Sequence, residues 1–270
     1  MSIRPTIDEL LASMGEAGRR ICDIDASEAG AGNISCSMSW APDLAAFGQI
    51  EDIALPLTVP GLAGRTLLVT GSGRRLRQIA GDPLANIGAL QVHADGRNGT
   101  LHSSQRRLFR NLTSELNSHL AVHEDQVLTR GVEFLSVVHA QPIHLTYLSH
   151  IPAYRDSATM NARLIRWEPE TIVALPEGID VLDFMVPGSD ELQQHNVAGL
   201  RGHQIVLWSK HGVMARSDVS PTGAVDKIEY AETGARYEVL DLQLGGRAEG
   251  LSGEDLGRVK AAFDVPTSLV

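Results

Sequence analysis

The chain has 270 residues, 43% of them hydrophobic and 21% charged, an ordinary globular composition that excludes a mostly disordered polymer. Lys and Arg total 23 against 33 Asp and Glu, a formal net charge of −10. That field repels a nucleic-acid backbone and an anionic lipid surface, so neither is expected as a partner, and any phosphate site must be a local exception.

The two cysteines, Cys22 and Cys36, form neither a disulfide framework nor a zinc motif. No stretch approaches the roughly 20 apolar residues of a membrane span. The first residues lack an apolar core of signal-peptide length, so a place in the reducing cytoplasm is expected.

In chain order, Ile7, Leu10, Leu11, Met14 and Ile21 stand at helical spacing behind Pro5 and predict a helix over 5–22. The chain then breaks at Gly30-Ala31-Gly32-Asn33. An apolar run over 67–70 stops at Gly71-Ser72-Gly73, which reads as a strand feeding a tight loop. Asp82-Pro83 opens a short helix, and Ala94-Asp95-Gly96 marks a turn. A further helix is predicted from Thr113, with Glu115 in its first turn, where the helix dipole favours a carboxylate.

Three more strands are predicted: 132–138, ending at His139; 171–175, closed by Pro176-Glu177-Gly178; and 204–209, ending at His211-Gly212. A long helix over 224–244 carries Val225, Ile228, Ala231, Ala235, Val239 and Leu242 on one stripe and ends at Gly245-Gly246. Strands interleaved with helices, without repeats or linkers, predict one α/β domain over 1–270 with a mixed sheet covered on both faces.

Polar residues gather at strand ends, where α/β folds commonly place ligands. His139 and Gln141 are two apart and share one side of an extended strand, so both can reach one metal ion. His144 points elsewhere unless the chain turns at Pro142. His211 stands at a second strand end and Glu115 at a helix start. Taken singly, a strand-end histidine is more often a hydrogen-bonded structural residue, and it is the grouping of two such strand ends with a helix-start carboxylate that points to a site. The glycine segments at 30–33 and 70–73 suit either a tight turn or a phosphate cradle, and neither is a Walker loop or a dinucleotide fingerprint.

The strings Leu68-Val69-Thr70-Gly71-Ser72-Gly73-Arg74, Asp82-Pro83-Leu84-Ala85-Asn86-Ile87-Gly88 and Thr113-Ser114-Glu115-Leu116 resemble the class II aldolase family. The likeness continues through Leu175-Pro176-Glu177-Gly178, Met185-Val186-Pro187-Gly188-Ser189-Asp190-Glu191 and Val206-Leu207-Trp208-Ser209-Lys210-His211-Gly212-Val213, and it spans about residues 28–246.

This resemblance implies a three-layer α/β/α sandwich with a mixed, mainly antiparallel central sheet. It also implies reversible cleavage of a ketose 1-phosphate, here L-rhamnulose 1-phosphate, to dihydroxyacetone phosphate and L-lactaldehyde. Sugar-phosphate epimerases and non-catalytic adducin-like modules share the superfamily and are the alternatives.

By the same resemblance, His139 and His211 match two histidine ligands of a divalent metal. The third ligand position falls on Gln141, a departure from the family's His-x-His pair. An amide oxygen holds zinc less tightly than imidazole, so zinc is expected with Mn, Co or Mg competing, and His144 is an available substitute ligand. Glu115 matches the general acid/base. Glu170 matches a glutamate that acts from a neighbouring subunit, which implies a homotetramer. Gly32, Asn33, Ser72, Gly73, Thr113 and Ser114 match the phosphate-binding segments.

Overall fold

A computed structural model describes residues 4–270. Its elements in chain order are α1 (Ile7–Asp23), β1 (Asn33–Met38), β2 (Gln49–Ala54), β3 (Thr66–Thr70), α2 (Leu76–Ile79), α3 (Pro83–Asn86), β4 (Ile87–Val92) and β5 (Asn98–Ser103). There follow α4 (Leu116–Arg130), β6 (Phe134–Ala140), α5 (Ile143–Leu148), α6 (Ser157–Leu164), α7 (Pro169–Ala174) and β7 (Ile179–Leu182). The chain closes with α8 (Asp190–Gly202), β8 (Ile205–Trp208), β9 (Gly212–Ser217), α9 (Pro221–Gln243) and α10 (Gly253–Ala262).

The strands form one nine-stranded sheet in the order β2-β5-β4-β3-β1-β6-β9-β8-β7. Every neighbouring pair is antiparallel except β7–β8, so the sheet is mixed and mainly antiparallel, as expected.

Side-chain alternation divides the core into layers. Ile34, Leu68, Val138, Ala140, Ile205 and Leu207 pack with α1, α5 and α9 on one face. Leu135, Val137, Val206 and Trp208 pack with Val122 of α4 and Leu192 and Leu200 of α8 on the other. His139 has the parity of Leu135 and Val137, so its ring lies on the α4 side. Helix α1 starts two residues later than the sequence predicts, because Thr6 caps it and Glu9 closes a capping box. Ser220 caps α9 by accepting from the Gly223 N–H, and Pro221 takes its first position.

Three expectations are corrected. The segment 171–175 is not a strand; residues 169–174 form helix α7, which opens on Pro169 and buries Thr171 and Ile172 against its neighbours. The β-branched run there favours a strand by propensity, and helical packing against α9 and α10 overrides it. The helix expected from Thr113 begins at Leu116, which makes Glu115 its N-cap instead of a first-turn residue. The strand expected over 132–138 runs from Phe134 to Ala140, so His139 lies inside it.

Candidate metal centre

The start of α4, strand β6 and the β8–β9 turn meet at three side chains. Glu115, His139 and His211 each offer one donor atom, and those atoms lie within 4.8 Å of one another. Glu115 caps none of its own helix's N–H groups, which leaves the carboxylate free for the site. Its Oε2 is 3.7 Å from His139 Nε2 and its Oε1 is 3.9 Å from His211 Nε2.

The fixed surroundings set the tautomer of His139. Its Nδ1 lies 2.8 Å from the Val213 carbonyl oxygen, so Nδ1–H donates there and Nε2 is the ring atom that faces Glu115. Its ring stacks on Trp208 with centroids 4.6 Å apart, and the Trp208 indole N–H is anchored on Asn196 at 3.0 Å.

His211 sits on the turn from β8 to β9. Lys210 takes φ +65° in that turn, and its N–H donates to Ser149 Oγ at 2.7 Å. Gly212 completes the turn by necessity. A Cβ there would strike the Ala140 carbonyl and lie 3.0 Å from Gln141 Cγ and 3.2 Å from His139 Cε1.

Burial, with the adjacent His139 ring, pushes His211 down to about 4 against the pull of Glu115 and Glu28, so the ring is neutral at pH 7. The buried Nδ1 of His211 has no hydrogen-bond partner. Two imidazoles and a carboxylate whose donor atoms converge within 4.8 Å form a set that suits a divalent cation.

Gln141 lies beside this group. In the orientation that satisfies both ends of its amide, the nitrogen donates to Glu28 at 2.5 and 3.2 Å. Its backbone N–H donates to Ala26 at 2.8 Å. His144 turns away: its ring Nδ1 and backbone N–H engage Glu232 Oε1 at 2.6 and 3.0 Å. Glu170 is exposed in the first turn of α7, outside the cluster.

The glycine and hydroxyl segments come together. A Cβ on Gly30 would lie 3.7 Å from the Gly73 carbonyl oxygen. Gly71 bridges to Leu112, and the Thr113 N–H donates to Thr70 at 2.9 Å. Gly32 and Gly73 have φ of +84° and +70°, conformations that favour glycine. The Ser72 N–H is already spent on Asn111 at 2.8 Å. Thr113 and the exposed Ser114 line a cavity of about 730 Å³ that also receives Arg107, Arg110 and Asn117.

Asn33 sits opposite His139 in the β1–β6 register, and both ends of its amide are occupied. Nδ2 donates to Glu115 Oε2 at 2.8 Å, and Oδ1 contacts His119 Nε2. His119, Ser35, His123 and Glu28 are neighbours that the sequence reading missed. The available signal was the spacing of Glu115, His119 and His123, four residues apart along one helix face.

Comparison with known proteins agrees with this geometry. Residues 12–239 match the family model described as the class II aldolase and adducin N-terminal domain, and the chain belongs to that family. Within it, the chain is a class II aldolase, a carbon–carbon lyase of a metal-dependent class that acts on phosphorylated sugars.

The rhamnulose-1-phosphate aldolase of Bacteroides thetaiotaomicron is 25% identical over 266 residues, covering 97% of each chain. That of Yersinia pseudotuberculosis is 31% identical over 221 residues, 81% of this chain and 79% of its own. A solved sugar-phosphate aldolase from Thermotoga maritima superposes with a TM-score of 0.75 at 26% identity, over 88% of this chain and 97% of that one. The L-fuculose-1-phosphate aldolase of Thermus thermophilus shares the fold, with a TM-score of 0.56 at 17% identity over 90% and 98% of the two chains. Among the described residues no helix is long and apolar enough to cross a membrane.

Proposed function

We propose that this chain reversibly cleaves L-rhamnulose 1-phosphate to dihydroxyacetone phosphate and L-lactaldehyde. The observation that carries the reading is the convergence of Glu115, His139 and His211 within 4.8 Å, in a chain whose relatives include rhamnulose-1-phosphate aldolases. His139, Gln141 and His211 would hold the cation, with zinc the first choice and Mn, Co or Mg made competitive by the amide oxygen. When bound, such an ion supplies Lewis-acid stabilisation of negative charge developing on the substrate's oxygens.

Glu115 moves the proton at the carbon of the three-carbon fragment whose bond to the aldehyde half breaks or forms. Gly32, Asn33, Ser72, Gly73, Thr113 and Ser114 hold the phosphate by hydroxyls and amides, which suits a chain whose net charge is −10. Glu170, exposed on its own subunit, assists the aldehyde half from a neighbour in a homotetramer. Residues 1–270 act as one domain, and the two free cysteines suit the cytoplasm.

The test is cleavage across a panel of ketose phosphates after metal reconstitution, with bound metal measured by elemental analysis. Glu115→Ala is expected to lower kcat by about 10²–10⁴. Wild-type turnover in Glu115→Ala or His211→Ala overturns the reading, as does pentulose-phosphate epimerisation without aldehyde release. A monomer by light scattering removes the role given to Glu170.

A further inference from the structure

A closed line of hydrogen bonds runs inward from Glu115 between α4 and β1. Helix α4 contributes residues four apart, with Glu115 at its cap followed by His119 and His123; β1 contributes Asn33 and Ser35, two apart on one strand face. The two spacings interleave. Glu115 Oε2 meets Asn33 Nδ2 at 2.8 Å, Asn33 Oδ1 meets His119 Nε2, and Ser35 Oγ lies 2.7 Å from both His119 Nδ1 and His123 Nε2. All five side chains are buried, and Ser35, His119 and His123 are fully so.

Chemistry fixes the direction of every bond in this line. Asn33 presents its NH₂ to Glu115 Oε2, and its oxygen, which only accepts, therefore faces His119. His119 then donates from Nε2, and as a neutral ring it accepts at Nδ1 from the Ser35 hydroxyl. Ser35 has spent its one proton, so it accepts in turn from His123 Nε2–H. The remaining His123 Nδ1 has no partner, as expected where a line of donors pointing one way comes to its end.

We propose that His119, backed by Ser35 and His123, is a positioning residue for Glu115: it locks the Asn33 amide so that an N–H faces the carboxylate. This rests on the reading of Glu115 as the proton-transfer group. It also gives Asn33 work beyond the phosphate contact expected from the sequence. A neutral donor aims the carboxylate without adding a positive charge that would compete with a cation beside it.

The test uses the full chain as purified, labelled with ¹⁵N-histidine. Long-range ¹H–¹⁵N spectra are expected to show His119 and His123 as neutral Nε2–H tautomers. An Nδ1–H tautomer or a doubly protonated ring at His119 overturns the proposal. Kinetics then compare two variants. His119→Asn keeps an acceptor for Ser35 but falls short of Asn33, whereas His119→Gln puts an N–H donor near the place of Nε2.

His119→Asn is expected to lower kcat by about 100-fold, the scale of a misplaced reacting group. KM and bound metal should stay within about threefold, the pattern of an interaction lost only in the transition state. His119→Gln should recover most of that loss. Equal kcat in the two variants overturns the proposal, and a misfolded His119→Asn leaves the wild-type tautomers to decide it. Turnover surviving Glu115→Ala would remove the underlying catalytic reading without touching the tautomers, so the two failures are distinguishable.

Discussion

Strand β1 turns two unlike faces to the molecule. Ile34, Cys36 and Met38 point into the layer beneath α1 and α9 and are fully buried among apolar neighbours. Asn33, Ser35 and Ser37 point the other way and are nearly as buried, yet Asn33 and Ser35 hydrogen-bond to Glu115, His119 and His123. Burying a large apolar side chain contributes about 1.5–3 kcal/mol, whereas a buried hydrogen bond nets only about 0.5–1.5 kcal/mol. One strand thus separates two tasks by its period of two: the first face supplies stability, and the second supplies geometry at Glu115.

The largest expected effect on stability tests the apolar face. Met38→Ala should cost about 2–5 kcal/mol in chemical denaturation while kcat at the folded concentration stays near wild type. A matching loss of kcat would show that the faces are not separable.

Acid tests the polar face. Burial and the nearby Arg65 guanidinium push His123 down to about 3, whereas an unfolded histidine titrates near 6.5. Between those values the unfolded chain binds the extra proton, so stability is full above about pH 6.5 and falls as pH drops. From about pH 8 to about pH 5, His123 alone should remove about 2 kcal/mol, and the buried His119 acts in the same direction. A flat profile would contradict neutral burial of these rings.

Smaller effects should separate Ser35 from Ser37. Ser35→Ala strands two imidazole nitrogens and should cost about 1 kcal/mol or more. The buried Ser37 hydroxyl has no partner, so Ser37→Ala should change stability by less than about 0.5 kcal/mol or raise it slightly. Equal costs at the two serines would mean the hydrogen-bond line contributes nothing specific.

Much of this was legible beforehand because its signals are local. The α1 stripe, the apolar run of β3 and the α9 stripe each carry their own periodicity, Glu115 stands at the start of α4 and His211 in the β8–β9 turn, and His139 lies one residue inside the end of β6. Strand β1 was not read, because Asn33-Ile34-Ser35-Cys36-Ser37-Met38 alternates apolar residues with hydroxyls and an amide that ordinarily mark turns. The seam with α4 was invisible for a different reason. Its partners are 82 to 88 residues apart in the chain, and no local rule tells which helix face meets which strand. Gln141 shows the converse: its place next to the cluster was legible, and its engagement with Glu28 was not.

Strand β1 is also the middle member of the nine-stranded sheet, flanked by β3 and β6. Amides in such a strand exchange with solvent only when most of the molecule opens, whereas loop amides exchange through small local fluctuations. The grip on Glu115 is therefore tied to the slowest-breathing part of the protein.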